Sequence, residues 1–244
     1  MILFAIALSQ ELKILKEEFK NLKIRNIDFL LTGVGVLNTI YSIKDYISKN
    51  KKPDFIINIG VCGKINDCFL DFFQVYRIKN LANNKEIICP IYINFGNLKS
   101  IASSDKIITS FNELENESFV DMESAGIDFI CDKEKIPYII IKKPFDIVSK
   151  NSKKVDLKSL EDSLRGFNYL GLIREIENFI SKNTKNNFDE GISNLKQKLK
   201  LTFSENELLK KYINKNIAFG SPEENIFKNL DLLNKKEILD LIKK

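Results

Sequence analysis

Two carboxylates stand out by where they sit. Glu123 follows a short apolar run, Phe119–Met122, and Asp146 lies just beyond a continuous β-branched and aromatic run, Tyr138–Ile141. Between them, Ser124–Lys135 carries apolar residues at Ala125, Ile127, Phe129 and Ile130 and ends in the charged run Asp132–Lys135, which predicts a helix. Pro137 precedes the second apolar run. The stretch Phe119–Asp146 therefore reads as strand, helix, strand, the second strand buried on both faces. Two neighbouring parallel strands would each deliver one carboxylate to the same edge of a sheet. In open α/β sheets the carboxyl ends of the strands are where ligands bind. A third carboxylate, Glu11, sits in the first turn of a helix predicted after the first strand, where favourable interaction with the helix dipole already accounts for an acid.

Composition narrows the chemistry further. The 244 residues contain no histidine, which removes His-based triads, His metal ligands and His proton shuttles together. Acid–base work near neutral pH then falls to carboxylates, Cys, Lys or Tyr. The four cysteines, Cys62, Cys68, Cys89 and Cys131, have no CxxC spacing and read as small buried residues in a reducing compartment. No metal site and no cofactor is expected. A net charge of +5, from 38 basic and 33 acidic residues, is mild and does not by itself indicate nucleic acid. At 44% hydrophobic residues the chain can bury a substantial core. Met1–Leu8 is apolar but far too short to span a membrane, and no basic segment precedes it. A soluble cytoplasmic protein is expected, with no membrane partner.

The elements that must position these acids follow in order. Ile2–Leu8 is a strand, Ser9 is a candidate cap, and Gln10–Phe19 is a helix with Leu12, Leu15 and Phe19 on one face. Ile27–Leu31 is a second strand, ended by Thr32-Gly33-Val34-Gly35, a Gly-x-Gly turn through which backbone can approach a ligand closely. Val36–Ser48 is a helix. Phe55–Ile59 is a strand, followed by Gly60-Val61-Cys62-Gly63 as a turn. Phe72–Ile78 and Glu86–Ile93 are two further strands, and Ser103-Ser104-Asp105 reads as a strand end with a helix cap. Asp156–Ile180 is amphipathic, with a break expected near Gly166 or Gly171. Asn183–Asn187 reads as a linker, and helical segments follow. Ser204–Glu207, Ser221–Glu224 with Pro222 at the first helical position, and Asn234–Glu237 read as helix starts.

Taken together, the strand–helix–strand stretch with Met122-Glu123-Ser124, Pro137–Ile141 and Asp146, the Gly33–Gly35 turn, and Gly60 with Gly63 resemble the purine nucleoside phosphorylase superfamily. The nearest pattern is that of the methylthioadenosine/S-adenosylhomocysteine nucleosidases, over roughly residues 1–180. The resemblance implies an α/β fold, a three-layer α-β-α arrangement about a central mixed, mostly parallel sheet. Residues 1–182 would form the nucleosidase-like domain and 183–244 a helical C-terminal extension. It also implies a small-molecule purine nucleoside as substrate and a homodimer. Asp146 would protonate the departing base, Glu11 would orient and deprotonate the water, and Glu123 would accept the ribose hydroxyls. Gly63, Ser103, Ile108 and Met122 would line the ribose and base pocket.

Several positions depart from the pattern. Val61 replaces a usual Ser, Phe145 stands where a Ser helps to hold the acid, and Lys142 replaces an Arg. The chain between Ile78 and Ser103 is shorter than in the resembling enzymes. Asn58 stands where the phosphorylases place the Arg that holds phosphate, which favours water as the nucleophile. Lys64 nearby keeps a phosphorylase as an alternative. A non-catalytic nucleoside-binding module with a partner-recruiting tail is another. From Asn183 onward, 12 Lys against 9 acidic residues make the extension basic, but packing on its own domain or a sister subunit is expected rather than nucleic-acid binding.

Overall fold

The computed structural model describes all residues except 21, 23, 25, 67–69, 150–158, 161–162, 184–186, 219–222, 232 and 243–244. The chain divides into two compact units, one of Met1–Cys89 with Ile93–Ile176 and one of Pro90–Tyr92 with Glu177–Lys244.

The first unit is mixed α/β. Its strands are β1 (Ile2–Ile6), β2 (Ile27–Leu31), β3 (Phe55–Lys64), β4 (Phe73–Asn80), β5 (Lys85–Ile88), β6 (Asn97–Ser103), β7 (Phe119–Asp121) and β8 (Tyr138–Ile147). Helices α1 (Ser9–Lys20), α2 (Val36–Lys49) and α3 (Ser124–Glu134) connect them, and α4 (Tyr169–Asn183), which belongs to this unit up to Ile176, follows β8. The strands form one central sheet, with β2, β1, β3 and β8 running parallel in that order. The pairings also close on themselves: β3 pairs β7, β7 pairs β6, β6 pairs β4, β4 pairs β8, and β8 returns to β3.

Burial follows the sequence pattern. All five residues of β1 are buried, as a strand covered on both faces requires. On one face, Phe19 of α1 packs edge-on to Phe4 and Phe29 at 5.1 and 5.3 Å between ring centroids, and to Tyr169 at 5.4 Å. A larger cluster joins Leu3, Ala5, Ile56 and Ile140 of the sheet to Ile43 of α2 and Ile127 and Ile130 of α3. Phe129 is the exception on α3, 53% exposed rather than on the buried face.

Several expected boundaries change. Gly60–Gly63 is not a turn; β3 runs through it to Lys64, held by β8 on one side and, at Gly63 and Lys64, by β7 on the other. β8 likewise runs on to Ile147, so Asp146 lies inside the strand rather than beyond it. The strands leading to Glu123 and Asp146 are not neighbours, because β3 pairs with both β7 and β8. The strand expected to end at Ser103 is β6, whose start at Asn97 was not foreseen, since Asn97, Lys99 and Ser100 interrupt its apolar pattern. The strand expected to reach Ile93 stops at Ile88, just before Pro90, which has no N–H for a ladder. Ser9 opens α1 as a helical residue, not a cap. The amphipathic run before Tyr169 does not enter α4; Gly166 has φ +75°, outside helical geometry, and much of the run lies outside the described residues. The expected linker also falls largely outside them, as do Ser221 and Pro222.

The second unit contains α5 (Asn187–Leu199), α6 (Phe203–Ala218), α7 (Glu223–Asp231) and α8 (Lys235–Ile242). Its core gathers Ile192, Leu195, Leu209, Ile213, Leu230 and Ile238. The capping box of α6 is Thr202-x-x-Glu205, two residues earlier than expected: the Thr202 N–H donates to Glu205 Oε2 at 2.8 Å and the Glu205 N–H to Thr202 Oγ1 at 3.3 Å. Asn234 and Glu237 form the expected box at α8, at 2.8 and 3.0 Å. Thr202→Ala is therefore expected to lower stability by about 1 kcal/mol in urea unfolding. Ser204→Ala, at an exposed residue outside the box, should change it by less than about 0.5 kcal/mol.

Candidate active site

Four buried charged side chains meet where the carboxyl ends of the parallel strands converge. Glu11 is 2% exposed, Asp121 5%, Glu123 6% and Lys142 1%. Glu11 stands on the first turn of α1, directly after β1. Its Oε2 accepts the Leu8 N–H at 3.1 Å, the reach-back that an acid at this helical position makes to a cap residue. Its Oε1 accepts the Val61 N–H on β3 at 3.0 Å. Gly60 makes this approach possible, because a Cβ there would lie 2.7 Å from Glu11 Oε1. The glycine in β3 is thus a clearance for a carboxylate, not a bend.

Glu123 occupies the cap position of α3 but does not cap it. The first N–H groups of α3 are met otherwise. Ser124 N–H donates to the Asp121 carboxylate at 3.1 Å and Ala125 N–H to Ser103 Oγ at 3.1 Å. The Glu123 side chain is left to reach across to Gly35, whose N–H donates to Oε1 at 3.2 Å. Gly35 has φ +103°, a conformation that favours glycine, and it opens α2. The positive end of that helix adds to the attraction for a carboxylate.

Lys142 rises from the middle of β8 between these acids. Its Nζ lies 2.7 Å from Asp121 Oδ2 and 3.6 Å from Glu123 Oε2. Asp121 is itself fixed by the Ser124 hydroxyl, which donates at 2.6 Å. Burial alone would pull the ammonium down; Asp121, then Glu123, outweigh it and hold Lys142 above its ordinary value. Burial raises Glu123, with Lys142 opposing and Asp121 reinforcing the shift. Burial also pushes Glu11 up to about 7, against the Val61 N–H and Lys142, which lower it. Glu11 is therefore poised to exchange a proton near neutral pH.

Asp146 stands apart from this cluster. Between Cys62 and Lys64 the β3–β8 register shifts, so that Phe145 and Asp146 both face Gly63 across a bulge in β8. Asp146 is four residues beyond Lys142, about 13 Å along a strand. Among the described residues no hydrogen bond or ion pair joins it to Glu11, Asp121, Glu123 or Lys142. It is half-buried, and burial raises it, opposed by its own N–H and Lys64.

The remaining expected site residues fall in three settings. Met122 is half-buried between Asp121 and Glu123. Ser103 gives its oxygen to the start of α3, and Ile108 is buried with Leu114, Val120 and Val148. Gly63 packs against Val120 and Val148. Asn58 donates to the Ala5 carbonyl at 2.9 Å and is buried in the sheet. The sequence reading missed Asp121 and named Lys142 only as a departure from the pattern. A charged residue directly after the β-branched run Ile139–Ile141 was the signal available for the lysine.

The geometry can now be set beside other proteins. The chain is 28% identical to the 5′-methylthioadenosine/S-adenosylhomocysteine nucleosidase of Buchnera aphidicola, over 64% of this chain and 90% of the relative. It resembles the methylthioadenosine/S-adenosylhomocysteine nucleosidases. The nucleosidase of Helicobacter pylori superposes with a TM-score of 0.58 at 16% identity, covering 74% of this chain and 97% of that one. The nucleosidase fold is shared with a futalosine hydrolase mutant from the same organism, with a TM-score of 0.56 at 14% identity and 74% and 98% coverage. No protein-family model matches the chain.

Burial of Glu11 has a measurable consequence for stability. Its folded value lies above the ordinary 4.5, so its contribution is fully present below about pH 4.5 and is lost as pH rises through about 7. Wild-type stability relative to Glu11→Gln should fall by about 3 kcal/mol between pH 4 and pH 8. Urea unfolding at a series of pH values measures it; a flat difference would place Glu11 in water.

Proposed function

We propose that this chain is a purine nucleosidase that hydrolyses the N-glycosidic bond of a methylthioadenosine- or S-adenosylhomocysteine-like nucleoside. The observation that carries this reading is the placement of Glu11 and Glu123 around one buried ammonium, at the strand ends, in a chain that resembles the nucleosidases. The bond breaks through an oxocarbenium-like ribose, a problem that glycosidases solve with paired carboxylates. Glu123 accepts the ribose hydroxyls and stabilises the positive sugar. Glu11, near 7, takes the proton of the attacking water. Asp146, raised by burial, protonates the base, with substrate bridging the distance that separates it from the other acids. Gly63, Ser103, Ile108 and Met122 shape the pocket through backbone and packing.

Water rather than phosphate fits this site. Asn58 spends its amide on Ala5, and the buried cation Lys142 is already held by Asp121 and Glu123. A phosphate clamp needs a cation whose bonds are not already committed. A catalytic domain of residues 1–182 with a helical extension, 183–244, belongs to this reading, and the division of the chain into two units near Ile176 supports an extension of this kind. A cytoplasmic homodimer belongs to the same reading. The three-layer arrangement expected of such a domain belongs to the same reading.

The separation of Asp146, together with Phe145 beside it, favours one second reading, a nucleoside-binding module without catalysis. Incubation with a panel of purine nucleosides, with and without phosphate, separates the readings. Free base and unphosphorylated sugar are expected either way; sugar 1-phosphate would indicate a phosphorylase, and binding without turnover the module. Asp146→Asn should lower turnover by at least ~10²-fold with little change in ligand affinity, as loss of a general acid requires. Near-normal turnover of that variant would remove Asp146 from the mechanism. The kcat/KM profile should rise with pH through a midpoint near 7, as Glu11 loses its proton. A profile flat from pH 5 to 8 would assign the base elsewhere.

A further inference from the structure

Lys142 takes no part in the steps above, yet it is the most enclosed charge of the site. Its Nζ is 2.7 Å from Asp121 and 3.6 Å from Glu123, and its charge also acts on Glu11. A buried cation with one carboxylate at contact distance is complete as a neutral pair. Here Asp121 completes that pair and is pinned by the Ser124 N–H and hydroxyl at the start of α3. Glu123 then approaches the same ammonium from the cap of α3, and the charge of Lys142 also reaches Glu11 on α1. The pair is thus anchored by one residue and directed at two others.

We propose that Lys142, locked in place by Asp121, is a positioning residue whose ammonium holds the Glu123 carboxylate in its working orientation and serves as the buried counter-charge of both Glu123 and Glu11, rather than only neutralising Asp121. This rests on the nucleosidase reading. The groups that face the two working acids are Asp121 beside Glu123, Lys142 on β8, and Tyr169 of α4, whose hydroxyl senses Glu11. Lys142 is the cation among them. Removing it leaves Glu11 and Glu123 in mutual repulsion, with no buried counter-charge, and both retain protons to higher pH.

The test separates serving Asp121 from serving the glutamates. In the double variant Asp121→Asn/Lys142→Met both members of the pair are lost together, so the net charge of the site is unchanged and Asp121 is not left as an unpaired buried charge. If Lys142 only neutralises Asp121, that variant behaves as wild type. Our account expects kcat/KM on methylthioadenosine to fall about 10²-fold, as misplaced catalytic groups cause. It expects the acid limb to move upward by about one pH unit. Lys142→Arg, which keeps the charge, should leave the limb in place. Wild-type kcat/KM and an unmoved limb in the double variant would overturn the proposal, and so would a limb displaced in Lys142→Arg. A second readout needs no turnover: carbon-detected NMR of the side-chain carboxyl groups follows Glu11 directly. Its midpoint should rise in the double variant, and an unchanged midpoint would overturn the proposal. Wild-type protein that releases no base from any purine nucleoside would sink the nucleosidase reading instead, while the NMR titration still decides what Lys142 does.

Discussion

One ammonium inside the protein constrains everything around it. Lys142 is 1% exposed in the middle of a strand whose preceding residues, Tyr138–Ile141, are all buried. An unpaired charge there would be untenable. The fold meets the demand with Asp121 at 2.7 Å, and Asp121 in turn depends on the first turn of α3. The position of β7 relative to β8, with β3 between them, is thereby tied to one ion pair as well as to ladder hydrogen bonds.

The same constraint explains how the acids are displayed. Because Asp121 and Ser103 satisfy the opening N–H groups of α3, Glu123 is released from capping and turns toward Gly35. Because Gly60 has no Cβ, Glu11 can reach Val61 across β3. Glu11 and Glu123 each accept backbone N–H groups, Leu8 and Val61 for the first and Gly35 for the second, while burial raises their proton affinity. Asp146 obeys a different logic. It sits at a bulge, half-buried, where a strand can re-aim a side chain.

Much of this was legible in the sequence. β1, β2, α2 and the helix that carries Glu11 in its first turn follow from apolar periodicity and Gly punctuation; Glu123 was marked by its place after a strand, and Glu11 was singled out by the resemblance. The segment Gly60–Gly63 misled because glycine ordinarily marks a turn. Its place inside β3 depends on two partner strands and a side chain 49 residues away in sequence, none of which is local information. The cap of α6 moved two residues because Thr202-x-x-Glu205 and Ser204-x-x-Glu207 are equally good patterns, and packing of Leu201 and Leu209 into one core chooses between them. Lys142 looked like the end of an apolar strand. Only the three-dimensional position of Asp121 turns it into the centre of a site.

The central claim, that these buried acids direct water onto a nucleoside, is tested most directly by isotope. Methylthioadenosine is incubated with the protein in ¹⁸O-labelled water, and the sugar product is weighed by mass spectrometry after a single turnover. The account predicts one ¹⁸O in the sugar product of the wild type, and no labelled sugar above background from Glu11→Gln in the same time. Base release with unlabelled sugar, or label incorporated equally fast by the Glu11→Gln variant, would contradict it.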